Sequence, residues 1–169
     1  MVSTDKRAGA LIMSLLRDEL NAYKELLKLA ERKTDVLVKG DVKVLDEITK
    51  IEQEMIAKLG RMEAERYDLV KQLAEAMHKD PSEITATFVK DVLPPQETEN
   101  FTKIYQEFKD VLKKIDEKNR VNERLIKKAL EYINFSIDLL TGAGEPKTGY
   151  GADGQSARQR AFHFVDRKA

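Results

Sequence analysis

Few residues of this chain are of types and spacings that do chemistry. Glu75-x-x-His78 matches one half of the motif that helical bundles use to hold paired metals, two such halves plus two further glutamates being needed. The only other histidine, His163, stands far away near the C-terminus, so a second half is missing. Gly142-Ala143-Gly144-Glu145-Pro146-Lys147-Thr148 has the look of a phosphate-binding loop. That loop needs glycine directly before its lysine and a strand before the loop. Here the position holds Pro146, and a helical pattern precedes it. There is no cysteine, which removes thiolate nucleophiles, thiolate metal sites and disulfides. Carboxylates such as Glu52 and Glu54 read as a solvated helix face. The expectation is a chain without catalytic residues, bound metal or cofactor: not an enzyme.

What is left to position is apolar surface. Of the 169 residues, 36% are charged, and Gly (8) and Pro (4) are scarce. Leu, Lys, Glu and Ala dominate, a helix-forming composition. So charged a chain suits long helices that each bury one stripe. The 30 basic and 30 acidic residues cancel, which argues against a nucleic-acid partner, because phosphate contacts call for a basic excess. No segment reaches the ~18 apolar residues of a membrane span. Ala8–Leu16 after Lys6-Arg7 runs straight into Arg17-Asp18-Glu19 without a cleavage pattern, so a cytoplasmic location is expected.

Periodicity predicts the elements. Met13, Leu16, Leu20, Tyr23, Leu27, Ala30, Thr34 and Leu37 alternate at spacings of three and four, a helix over about 10–38. Gly40 and Asp41 close it and cap the next helix, making an antiparallel hairpin. The second helix, about 41–78, carries Leu45, Ile48, Met55, Leu59, Met62, Leu69 and Leu73, with Glu52 and Arg66 at seam positions. Asp80-Pro81-Ser82-Glu83 signals a short helix over about 82–89, ended by Pro94-Pro95. A long helix over about 96–140 follows, with Phe101, Ile104, Phe108, Val111, Ile115, Leu125, Ala129, Tyr132 and Leu139 in one heptad register. The fold class expected is all-α: an elongated antiparallel three-helix bundle in 1–140, with a flexible, glycine-rich tail over 141–169.

Three features point to binding. Lys118 and Asn122 interrupt the apolar seam of the last long helix, with Asn119 beside them; the seam asparagine either pins register or marks a face awaiting a partner helix. Tyr132 and Leu139 keep the heptad and are expected in the core, whereas Ile133 and Phe135 lie off it and suit an exposed apolar face, the kind that takes an amphipathic helix. In the tail, Ala157, Ala161, Phe162 and Val165 return at helical spacing, while Phe162–Val165 with Phe164 also reads as a short strand; these groups have no core to enter and read as a docking segment.

The stretch Leu16-x3-Leu20-x2-Tyr23-x2-Leu26-Leu27-x-Leu29-Ala30-x2-Lys33, continuing through Leu37-Val38-x-Gly40-Asp41-x3-Leu45-x2-Ile48-x3-Glu52-Gln53 and Leu59-x3-Glu63-x2-Arg66, resembles the opening of FlgN-type flagellar export chaperones. Asn119-x2-Asn122-x2-Leu125-Ile126 and the tail segment Tyr150-Gly151-Ala152-Asp153-Gly154 fit the same family. The resemblance implies a cytoplasmic chaperone. Such a protein binds the amphipathic C-terminal helices of hook-associated (hook–filament junction) proteins, prevents their premature assembly, and delivers them to the type III export gate. It implies that the C-terminal region carries much of the client contact and that a tail tyrosine, best matched by Tyr150, docks at the export gate. Together with the seam break and the stranded aromatics, the client surface is expected at Asn119, Asn122, Ile126, Ile133 and Phe135 and at the tail's Phe162, Phe164 and Val165. The alternatives are a self-associating coiled-coil protein, giving a homo-oligomer, and another secretion chaperone of the same helical class.

Overall fold

In the computed structural model, residues 2–142 are described, with side chains from Gly9 onward. The elements are α1 (Val2–Lys39), α2 (Val42–Ala76), a 3-10 turn (Pro81–Glu83), α3 (Ala86–Val92) and α4 (Pro95–Thr141). The chain is all-α, a helical bundle, as the periodicity predicts.

The α1–α2 turn forms as its residues dictate. Gly40 takes the left-handed conformation (φ 70°), open to glycine at little cost, and the Asp41 carboxylate accepts from the Val44 amide at 3.1 Å. At the far end of α2, the Lys79 amide reaches back to the Ala74 carbonyl at 2.9 Å and the His78 amide to Glu75 at 3.2 Å. This is the helix-closing motif that normally carries glycine at its left-handed position, here filled by His78 at φ 54°. His78 thus serves as a helix terminator.

The connector differs from the single short helix expected over 82–89. The capping box at Asp80 is present, but it starts only a 3-10 turn. The helix proper begins later, where Thr85 caps it by accepting from the Phe88 amide at 3.2 Å. α3 stops at Val92, just before Pro94-Pro95 as expected, and Pro95 also begins α4: a proline in the first turn forfeits no helical hydrogen bond, and the Glu97 and Thr98 amides bond the Pro94 carbonyl. Gly9 lets this connector close on α1, since a side chain there would meet Leu93 at 3.0 Å.

Contacts divide the chain into two units, residues 1–130 and 131–169, rather than at the helix end near residue 140. In the first unit α2 runs antiparallel to α1, because Glu19 pairs with Arg66 and Lys33 with Glu52. Lys24 pairs with Glu107 and Ala30 receives Asn122, so α4 runs in the direction of α1.

Three apolar clusters hold this unit. The first joins Ile12, Leu16, Leu73, Ala74, Ile84, Val89, Leu93 and Phe101. The second joins Leu20, Val111 and Ile115, with Tyr23 set edge-on against Phe108. The third, Leu29, Val36 and Ile48 with Val44, Leu45 and Met55, belongs to α1 and α2 alone. Past Ile115, the only α4 residue buried is Asn122. In the second unit the described residues are the last turns of α4 and Gly142.

Candidate helix-docking surface

Three of the polar residues predicted along the seams, Arg66, Glu52 and Asn122, each find a partner on α1. Glu19 is buried, and both its carboxylate oxygens accept from the single Nε–H of Arg66, at 2.9 and 3.1 Å. One shared donor compensates a buried carboxylate poorly. Burial therefore pushes the Glu19 carboxyl up, with Arg66 offsetting only part and Glu63 adding to the rise. Lys33 and Glu52 pair at 2.6 Å with both side chains largely covered.

Asn122 makes the third polar layer. It is 3% exposed, its amide nitrogen donates to the Ala30 carbonyl at 3.0 Å, and its oxygen lies 2.7 Å from the Thr34 hydroxyl. That hydroxyl also reaches the Ala30 carbonyl at 3.1 Å, and its one proton serves either acceptor. Both ends of the amide are thus engaged by α1. Asn122 therefore pins α4 against α1, the register role that an asparagine in an apolar seam performs.

Asn122 also lies at the base of a groove of about 430 Å³ in the first unit, which Asn119 and Ile126 line together with Leu26, Lys33, Glu52, Ile56 and Glu123. Its lining mixes the apolar Leu26, Ile56 and Ile126 with polar and charged side chains, and Ile56 is largely exposed. A larger groove, about 740 Å³, runs along α1 and α2 but is rimmed mainly by charged side chains such as Lys24, Glu25, Lys28 and Lys58.

The last turns of α4, residues 131–141, carry Tyr132, Ile133, Phe135, Ile137, Leu139 and Leu140, all at least half exposed. Ile133 and Phe135 lie open, as their places off the heptad suggest. Tyr132 (72% exposed) and Leu139 (63%) do not enter a core, against expectation. Within the second unit the described residues supply no other helix to cover them, so the heptad pattern there runs on without a partner.

At 100° per residue these side chains span an arc of about 200°, leaving Glu131, Asn134, Asp138 and Thr141 on the polar remainder. The stripe by which a surface helix packs on its own core covers about 100° or somewhat more. Sequence reasoning missed Ile137 and Leu140; the signal was present in the three- and four-residue spacing of Ile133, Ile137 and Leu140. Tyr150, Phe162, Phe164 and Val165 lie outside the described residues. Among the described residues, no helix is long and apolar enough to cross a membrane.

Comparison with known proteins agrees with the resemblance. The Bacillus subtilis (strain 168) protein YvyG, described only as uncharacterized, is 29% identical over 118 residues, 70% of this chain and 71% of its own length. No solved structure matches. The family model for the FlgN protein matches residues 10–158, nearly the whole chain, from α1 through the exposed turns of α4 and into the tail. The chain therefore belongs to the FlgN family of flagellar export chaperones.

Proposed function

We propose that this chaperone works in the bacterial cytoplasm by capturing the amphipathic C-terminal helices of hook-associated (hook–filament junction) proteins. Holding them blocks premature assembly, and the complex is then delivered to the export gate, with Tyr150 as the gate-docking residue. The observation that carries the reading is the exposed apolar arc on the last turns of α4. Coiled-coil segments of an unassembled client have an open stripe of their own, and mutual burial of two such faces is the helix-in-groove mode of recognition. Ile133 and Phe135 contribute to the client surface here, and the tail residues Phe162, Phe164 and Val165 add to it. In the first unit, Asn119 and Ile126 offer a further apolar groove for the same helices. The mechanism needs no nucleotide, metal or cofactor, only reversible burial.

The test is binding of the C-terminal helical segments of the junction proteins from the same cell to full-length protein and to its I133D/I137D variant. Both sites are exposed, so helical content and melting stay within about 0.5 kcal/mol of the original. Affinity falls at least tenfold; undiminished affinity refutes the reading. The same exposed arc also favours a second reading, self-association, which predicts a concentration-dependent oligomer in sedimentation that the same substitutions abolish.

A further inference from the structure

The arc on the last turns of α4 is wide enough for two neighbours. Phe135, Leu139 and Tyr132 form one stripe, and Ile133, Ile137 and Leu140 the other. A single captured helix covers one of them. We propose that the chain's own segment 157–165 docks on the Phe135–Leu139–Tyr132 stripe, leaving the Ile133–Ile137–Leu140 stripe for the client. The inference deepens the proposed function and rests on that reading of the α4 face as a docking surface.

Three observations choose this occupant. The first is length. Residues 143–156 connect α4 to the segment and extend to at most about 46–50 Å, whereas residues 132–140 rise only about 12 Å along the helix. The connection therefore reaches every part of the stripe with slack to reverse direction. The second is charge. Glu131 and Asp138, the only charged side chains between Glu131 and Gly142, fall on the polar side next to Phe135. The segment and its flanks carry Arg158, Arg160, Arg167 and Lys168 against Asp166 alone. Exposed ion pairs add little affinity but choose between two otherwise similar apolar stripes. The third is competition. A tethered segment meets the stripe at an effective concentration near the millimolar range, far above that of a second copy at micromolar protein.

Ala157, Ala161, Phe162 and Val165 supply the matching apolar side. With the stripe so covered, the segment becomes a second wall beside the client's stripe: Ile133 meets the client directly, whereas Phe135 serves the client surface by holding the segment, whose aromatics contribute to client contact without being the main anchor.

The chain has no cysteine, so pairs introduced into the full-length protein report proximity cleanly. F162C is combined either with L139C, on the stripe, or with N134C, on the polar side. Under mild oxidation at micromolar concentration, the intramolecular disulfide forms at least tenfold faster with L139C. Equal rates overturn the inference, and so does predominant cross-linking between two chains, which assigns the stripe to a second copy. In parallel, F162S/V165S in the full-length chain raises the binding of an apolar fluorescent dye at least threefold with helical content unchanged. Unchanged dye binding also overturns it. Neither measurement contains a client, so a failure to bind clients sinks the proposed function while leaving the tail contact separately readable.

Discussion

Removing Arg66 tests how the buried polar layer is balanced. Arg66→Leu keeps an apolar stem in the α2 seam but strips Glu19, 2% exposed, of the one hydrogen-bond partner it has among the described residues. Breaking a buried pair from one side costs several kcal/mol. At a given pH the cost of the stranded charge is capped, because Glu19 can escape by taking up a proton. Its ordinary value is 4.5, and the interval from there to pH 7 corresponds to about 3.4 kcal/mol. Arg66 is itself partly exposed, so the expected loss is roughly 2–3 kcal/mol at pH 7. That lowers the melting temperature by about 6–12 °C for a domain of this size. At pH 5 the same cap falls to about 0.7 kcal/mol, and the melting shift should shrink below about 3 °C.

The sign follows from the direction of the Glu19 shift. Its folded value already lies above 4.5 because burial outweighs Arg66, so its contribution is full below 4.5 and fades as pH rises through the folded value. Removing Arg66 raises that value further and widens the window. Thermal melts by circular dichroism at the two pH values, with Glu19→Gln added to Arg66→Leu as the rescue, measure this directly. A loss of equal size at pH 5 and pH 7, unrelieved by Glu19→Gln, would refute the charge argument and assign the effect to packing.

Asn122→Ala deletes the clasp between α4 and the Ala30–Thr34 turn and should cost about 1–2 kcal/mol in chemical denaturation; no measurable loss would mean that Asn122 does not hold α4. Gly60 lies mid-helix in α2 with nothing within 4 Å of an added methyl group, so Gly60→Ala should stabilise by about 1 kcal/mol in the same assay. His78→Gly relieves a left-handed side chain at the α2 terminus and should raise stability by about 0.5–1 kcal/mol, a loss arguing that the imidazole makes a contact that matters.

The sequence was legible where a residue's local neighbours decide its fate. Phe101, Val111, Ile115, Leu20 and Leu73 are buried as their spacing predicts, and Gly40 and Asp41 build the turn their types favour. It misled where a tertiary partner decides. Tyr132 and Leu139 continue the period faithfully yet stay exposed, because a period cannot report whether another helix stands opposite. The connector was misread because Asp80-Pro81 and Thr85 both offer caps and only packing of Val89 and Leu93 selects the later start. Asn122 kept two readings open, since a seam asparagine pins register or faces a partner according to what stands opposite, here Ala30 and Thr34.

The third apolar cluster is complete without α4. The hairpin formed by α1 and α2 near its turn therefore needs no help from the last helix to stay folded, and α4 between Ile115 and Leu130 can shift sideways at the expense of one buried amide rather than a dismantled core. Backbone amides of α4 beyond Ile115 should accordingly exchange with solvent deuterium well before those between Phe101 and Ile115. A scaffold graded in this way tolerates adjustment along the later part of α4 and keeps its rigidity around Phe101.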